Sequence, residues 1–339
     1  MKRFILATIF LFCFSACAQA RQELSFGGWL VYWDKGRGLE SLRRSNQVIS
    51  RVSLFSFALD DNGLVVATAS LPALPAYVKA DMTVVNDVFS STGSRRLKDA
   101  RLVHRLLTDG SLREAHFSSI VSFLSKAAFS GIEIDYENLE YADRQAFVTY
   151  IKELAGICHS MGKTLTVAVQ PKTTEKIGAR GGAALDWEGL GRYADTVRIM
   201  CYNYMGPKTG PGPLSPPPWV AALAIYAIGK IPPEKLELAL PLYGFSWVGY
   251  AAQTVDFAAV RRAKRRYGCS VTRDADGSPS IGYSEKGIWT EVWFEDRVSI
   301  LEKIKAARRA GVSRFFFWRL GDEDDSLYPA LAQLNAKGE

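Results

Sequence analysis

Histidine and cysteine are scarce in this 339-residue chain, at three and five. Cys13 and Cys17 fall within the first twenty residues, and the other cysteines, Cys158, Cys201 and Cys269, are irregularly spaced with no C-x-x-C pair. That pattern leaves little for a zinc or iron–sulfur centre, and the three thiols read as buried side chains with at most one disulfide among them. His104, His116 and His159 fall on helix-like segments and read as surface or helix-end residues. Beyond the first twenty residues no apolar run is long enough to span a bilayer, which excludes a multi-span membrane protein. A glycine-rich phosphate loop is missing too: Phe26-Gly27-Gly28 precedes strand-like residues rather than a helix, which counts against a dinucleotide-binding fold. Internal repeats and low-complexity tails are absent. With 48% hydrophobic and 23% charged residues, the composition is that of a globular chain, not a disordered, collagenous or coiled-coil one. No metal, cofactor or nucleic-acid partner is expected, and a monomer is the expected state.

What is present begins with an export signal. Lys2 and Arg3 precede the apolar run Phe4 to Phe14, and Ala18-Gln19-Ala20 is an A-x-A cleavage pattern. Cleavage there starts the mature chain at Arg21, and loss of two cations lowers the formal net charge from +7 to +5. Phe14-Ser15-Ala16-Cys17 loosely resembles a bacterial lipobox, with Phe where Leu is usual, so a lipid anchor at Cys17 is the alternative. Either way the chain is expected outside the cytoplasm: secreted, periplasmic or anchored at the envelope. The modest positive charge suits an anionic polymer such as cell wall, and scattered surface cations explain it equally well.

Eight short runs rich in Val, Ile and Phe follow: Gly27 to Trp33, Val52 to Leu59, Met82 to Phe89, Gly131 to Tyr136, Thr164 to Val169, Val197 to Tyr202, Leu236 to Leu240 and Arg314 to Trp318. Between them, segments such as Ser111 to Ala128, Arg144 to Ser160 and Val298 to Ala310 carry apolar residues at helical spacing. Strand and helix in alternation imply a parallel sheet, and eight such units fit a (β/α)8 barrel over residues 21–339. Two stretches break the rhythm. Gly206 to Pro218 is proline-rich and should be neither helix nor central strand; it could wall a binding cleft or merely connect. Ser246 to Phe294, with a basic helix-like run Phe257 to Tyr267 and the turn Asp274-Ala275-Asp276-Gly277, reads as a small α+β insertion between strands seven and eight.

The fourth run is the most informative. In Gly131-Ile132-Glu133-Ile134-Asp135-Tyr136-Glu137, the three carboxylates alternate with Ile132, Ile134 and Tyr136 and so share one face of a strand. Like charges held this close on a buried strand raise at least one pKa, so such a set persists where it shares protons, is solvated or binds something.

This segment resembles the D-G-x-D-x-D-x-E signature of family 18 glycoside hydrolases, the chitinase-like barrels. Met200-Cys201-Tyr202-Asn203 resembles the family's M-x-Y-D, and Trp318 ends strand eight where the family places a tryptophan under the sugar. Glu137-Asn138, Val292-Trp293-Phe294-Glu295-Asp296 and Phe317-Trp318-Arg319-Leu320-Gly321 are similar to the YaaH-type spore-germination and peptidoglycan hydrolases. The resemblance spans roughly Phe26 to Tyr328. It implies a substrate-assisted, retaining glycosidase acting on β-1,4-linked N-acetylglucosamine polymers, with peptidoglycan favoured over chitin. By this resemblance Glu137 is the acid and later the base, Asp135 orients the acetamido group, Tyr202 bonds its oxygen and Trp318 floors the pocket. Met200 would line the same pocket, while Cys201 should point away by alternation. Tyr32, Trp33 and Tyr243 stand at strand ends, where barrel sites collect, and could shape the cleft or belong to the core.

The sequence departs from the pattern at three places. Ser130 stands where the first Asp is usual, Glu133 replaces the second, and Asn203 replaces the Asp of M-x-Y-D. Glu133 is one methylene longer than Asp and could still share a proton with Asp135; it and Asn203 are expected to contact substrate. Glu137 and Asp135 remain, which favours an active enzyme over a chitinase-like lectin that binds without turnover. A metal-dependent barrel hydrolase is disfavoured by the shortage of histidine.

Overall fold

The computed structural model describes residues 23–46, 48–175 and 181–337. The expected export signal, residues 1–20, with Cys17 inside it, lies outside them. Among the described residues, eight parallel strands close into a barrel: β1 Ser25–Val31, β2 Ile49–Leu59, β3 Lys79–Phe89, β4 Gly131–Asp135, β5 Thr164–Val169, β6 Thr196–Met200, β7 Leu236–Pro241 and β8 Arg314–Trp318. Each strand pairs with the next, and β8 returns to β1 with Ser25 opposite Arg314. Helices on the outside include Gly110–Lys126, Arg144–Ser160, Pro217–Ile228 and Arg297–Arg309.

Strand alternation divides the residues between two environments. Ile132, Ile134, Val167, Ile199, Cys201 and Leu238 are fully buried in the apolar layer between strands and helices. Burying side chains of this size is worth roughly 1.5–3 kcal/mol each, so this layer supplies most of the cohesion. The barrel interior is different. Arg198 lies there over the Phe316 ring at 3.4 Å and bonds Ser53 Oγ at 3.1 Å. It also pairs with Glu133 and, at 2.6 Å, with Glu237, which is held in turn by Arg51. Above this charged layer, toward the C-terminal ends of the strands, Trp29 and Phe316 meet edge to face at 4.7 Å, with Phe55, Tyr202 and Trp318 packed against them. Gly131 is required where β4 meets β5, because a Cβ there would collide with the Thr164 carbonyl.

Three expectations change on contact with the structure. Tyr32 and Trp33 leave the first strand and enter a 3-10 turn, Tyr32–Asp34. The proline-rich loop after β6 ends in a helix: Pro217 and Pro218 form the first turn of Pro217–Ile228, where a missing N–H costs nothing and a fixed φ suits the helix. His116 is fully buried within its helix, bonded to Gly63 O at 2.6 Å and to Tyr150 Oη and Tyr136 Oη at 2.9 and 3.0 Å. Burial pushes its imidazole down to about 4. His104 and His159 are half exposed, each beside an aspartate. Cys158, Cys201 and Cys269 are all free thiols, so they form no disulfide.

The insertion between β7 and β8 is larger than a hairpin. Five antiparallel strands run in the spatial order Ala251–Val255, Gly244–Val248, Ile288–Trp293, Pro279–Glu285 and Thr272–Arg273. The helix Phe257–Tyr267 crosses between them, opened by Asp256 accepting from Ala259 N and closed by Gly268 at φ +64°. None of the described helices is long and apolar enough to cross a membrane.

Candidate active site

The acidic face of β4 points up the barrel axis, and its three carboxylates meet different surroundings. Glu133 is fully buried and receives Trp29 Nε1 at 2.8 Å, Thr83 Oγ1 at 2.7 Å and the Arg198 guanidinium. Asp135, one pleat higher, is nearly buried, and its Oδ1 has no hydrogen-bond partner. Burial raises its carboxyl well above the usual range, and the charges of Glu137 and Glu133 raise it further. Glu137 stands just past the strand end. Its main chain is clamped by Asn86, whose Oδ1 accepts from Glu137 N and whose Nδ2 donates to Glu137 O, both at 2.9 Å. Its carboxylate meets Lys98 Nζ at 2.6 Å and Gln170 Nε2 at 3.3 Å.

The opposite wall comes from the end of β6. Burial, with Asp135 the next largest influence, pushes the Tyr202 phenol well above its ordinary value. Its ring lies 6.3 Å from that of Tyr243, whose hydroxyl donates to Asn203 Oδ1 at 2.6 Å. Trp318 forms the floor, edge to face with Phe55 at 5.0 Å and Trp29 at 5.3 Å. Beside it opens a cavity of about 500 Å³ lined by Trp33, Asn203, Tyr243, Trp318, Arg319 and Asp322 among others.

The sequence profile described as "Glycosyl hydrolases family 18" matches residues 98–324. The chain belongs to glycosyl hydrolase family 18. It is 30% identical over 227 residues to YdhD of Bacillus subtilis, covering 65% of this chain and 53% of that protein, so it spans about half of that relative's length. It is 24% identical over 298 residues to the cortical fragment-lytic enzyme of Bacillus cereus, covering 84% of this chain and 67% of that one. Among solved structures, a chitinase from Chromobacterium violaceum superposes with a TM-score of 0.82 at 23% identity, covering 92% of this chain and 99% of the other. At that identity the likeness speaks for the fold.

Within this family 18 barrel, the residues singled out from the sequence divide into two groups. Asp135, Glu137, Tyr202, Asn203, Tyr243 and Trp318 come together around the strand ends. Met200 shares the inward face of β6 with Arg198 and is buried. Glu133 does not reach the site surface: it is fully buried, with its carboxylate paired with Arg198. Tyr32 lies beside Trp33 at 4.9 Å, but outside the cavity lining and turned toward Arg95. Ser130 contributes only main-chain bonds, from its N–H to Ala80 O and from Thr164 N to its carbonyl.

Asn86, Lys98 and Gln170 were missed. Asn86 and Gln170 are polar residues at the C-terminal ends of apolar strands, a position that signals function in a barrel. Lys98 carried no such signal, because it reaches Glu137 from a loop at a backbone φ of +51°.

Proposed function

We propose that this chain is an exported glycosidase that hydrolyses β-1,4-linked N-acetylglucosamine-containing glycans, peptidoglycan before chitin, by substrate-assisted retaining catalysis. The observation that carries it is Asp135. Its carboxyl is pushed toward the protonated form between two other carboxylates, with one oxygen buried and unbonded. An acetamido N–H satisfies that oxygen.

In the proposed reaction Glu137, as the acid, gives its proton to the glycosidic oxygen, and the C1–O bond breaks. The acetamido carbonyl oxygen attacks C1 and forms the cyclic oxazolinium ion. Asp135 holds the N–H and balances the developing charge, while the Tyr202 hydroxyl donates to the acetamido oxygen. Water then adds at C1, giving its proton to the Glu137 carboxylate and reopening the ring with overall retention. Lys98 is almost half exposed, so its pair with Glu137 is weakly held and yields as the leaving sugar enters. Trp318 supports the sugar face.

Membership in family 18 and likeness to a cortical fragment-lytic enzyme support the substrate preference. The start Lys2 to Ala20 supports export. A second reading, a glycan-binding protein without turnover, is favoured by one feature: the acid rests in an ion pair with Lys98. Purified protein incubated with peptidoglycan and with chito-oligosaccharides, followed by mass spectrometry, separates the two. Glu137→Gln should abolish products and retain glycan binding. Undiminished turnover by that variant contradicts the assignment.

A further inference from the structure

The insertion carries a basic helix that the proposed chemistry leaves unused. Phe257–Tyr267 holds five cations, Arg261, Arg262, Lys264, Arg265 and Arg266, and no acid, and all five are exposed. The chain has 42 Lys and Arg against 35 Asp and Glu. With Lys2, Arg3 and these five set aside, 35 cations face 35 acids, so beyond the first twenty residues the whole positive excess sits on this one helix. Three of the five meet acids: Arg261 with Asp325 at 2.8 Å, Arg266 with Glu285 at 2.6 Å, and Arg262 with Asp256 at the outer limit of 4.0 Å. Lys264 and Arg265 meet none among the described residues.

Like charges four positions apart on a helix repel. Arg261 and Arg265 stand so, as do Arg262 and Arg266, and the helix bears this cost twice. Its dipole favours the cations of the last turn, Lys264 to Arg266, but not Arg261 and Arg262. The helix is held firmly all the same. Asp256 caps its start, Gly268 closes it, and Tyr267 stacks on Tyr283 at 4.2 Å. Its apolar side, Phe257, Val260 and Ala263, packs with Ile281, Val292 and Phe294. A helix lying in a bilayer surface needs that side free, so the charged side is left for a polymer in water. Arg262, Arg265 and Arg266 line a hollow of about 500 Å³. Arginine forks match carboxylates in shape as well as charge. Asp256 also lines the cavity beside Trp318, so the helix starts at the cleft rim, and its eleven residues span about 16 Å.

We propose that this helix is a docking surface for the peptide stems of peptidoglycan, its cations pairing with the stem carboxylates while the glycan strand lies in the cleft. The proposal rests on the reading of the substrate as peptidoglycan. Chitin carries no such anions. The helix therefore gives the chain a preference for wall polymer that a site for the acetamido group, which both polymers carry, does not supply. Exposed ion pairs are individually weak, so the cations act as a set.

The test is co-sedimentation of the full Glu137→Gln chain, at low salt, with insoluble peptidoglycan and with chitin. The peptidoglycan is used before and after hydrofluoric acid removes phosphodiester polymers, and again after its carboxyls are amidated. Adding Arg262→Gln, Lys264→Gln and Arg265→Gln together should weaken binding to the stripped peptidoglycan about tenfold, the loss expected for three exposed charge pairs. Binding to chitin should not change. The parent should lose the same affinity on the amidated material, and Arg262→Lys with Arg265→Lys should stay within about threefold of the parent. Unchanged binding by the triple variant, an equal loss on chitin, a parent indifferent to amidation or unable to bind peptidoglycan, or a difference confined to unstripped material overturns the proposal. Should the triple variant melt lower than its parent, the amidation arm decides, since it needs no variant. The outcomes separate from those of the hydrolase reading. Carboxylate-dependent binding without turnover by the wild-type chain sinks only the catalytic assignment. Turnover of peptidoglycan with binding indifferent to the three cations sinks only the docking surface.

Discussion

Replacing Arg198 by Met should cost about 3–5 kcal/mol of stability, the range for leaving a buried charge without its partner. The structure shows where that cost arises. Arg198 is 1% exposed and pairs with both Glu133 and Glu237, which are fully buried. Glu237 keeps Arg51, and Arg314 Nε lies 3.8 Å away, so it stays compensated. Glu133 keeps only the neutral donors Trp29 and Thr83, so the loss falls on that one carboxylate. Methionine retains apolar contact with Phe316 and limits the packing loss. Urea unfolding of the purified variants measures the difference. The double variant Arg198→Met with Glu133→Gln should recover at least half of it, because the amide needs no counter-charge. A single variant within about 1 kcal/mol of wild type, or a double variant no better than the single, would refute the reasoning.

Asp135→Asn should abolish most turnover yet raise stability at pH 7. A carboxyl whose folded pKa lies above its unfolded one loses stability as pH rises between the two, so removing it should gain about 1 kcal/mol by thermal melting; a destabilised variant contradicts this. His116 carries the opposite dependence. With its folded pKa down at about 4 against an ordinary 6.5, the unfolded chain binds the extra proton. Stability from this group is therefore intact above about 6.5 and falls as pH drops toward 4, by roughly 3 kcal/mol in all. His116→Gln should flatten that part of the stability-versus-pH curve, and an unaltered slope counts against the burial argument.

The fold was legible because its signals are local. Thr164–Val169, Arg314–Trp318 and the helix Phe257–Tyr267 begin and end where apolar periodicity and turn residues place them. The alternation on β4 also separated Ile132 and Ile134, on the packed outer face, from the carboxylates inside. What escaped depends on residues far apart in the chain. Glu133 looks like a site residue until Arg198, 65 positions away, takes its charge. His116 looks like a surface histidine until two tyrosines and a carbonyl close around it. Lys98 gains meaning only from Glu137, which the closed barrel brings to it. Prolines 217 and 218 misled for a different reason: a residue that breaks a helix in its middle is compatible with its first turn.

Participation of the substrate's acetamido group is the central claim, and one comparison tests it most directly. The rate of release of 4-nitrophenol from the β-glycoside of the N-acetylglucosamine disaccharide should be set against that from the matching glucose disaccharide, which has a hydroxyl in place of each acetamido group. The account predicts turnover of the first, none detectable of the second, and loss of the first in Asp135→Asn. Comparable turnover of both glycosides would mean that an enzyme carboxylate, and not the substrate, supplies the nucleophile.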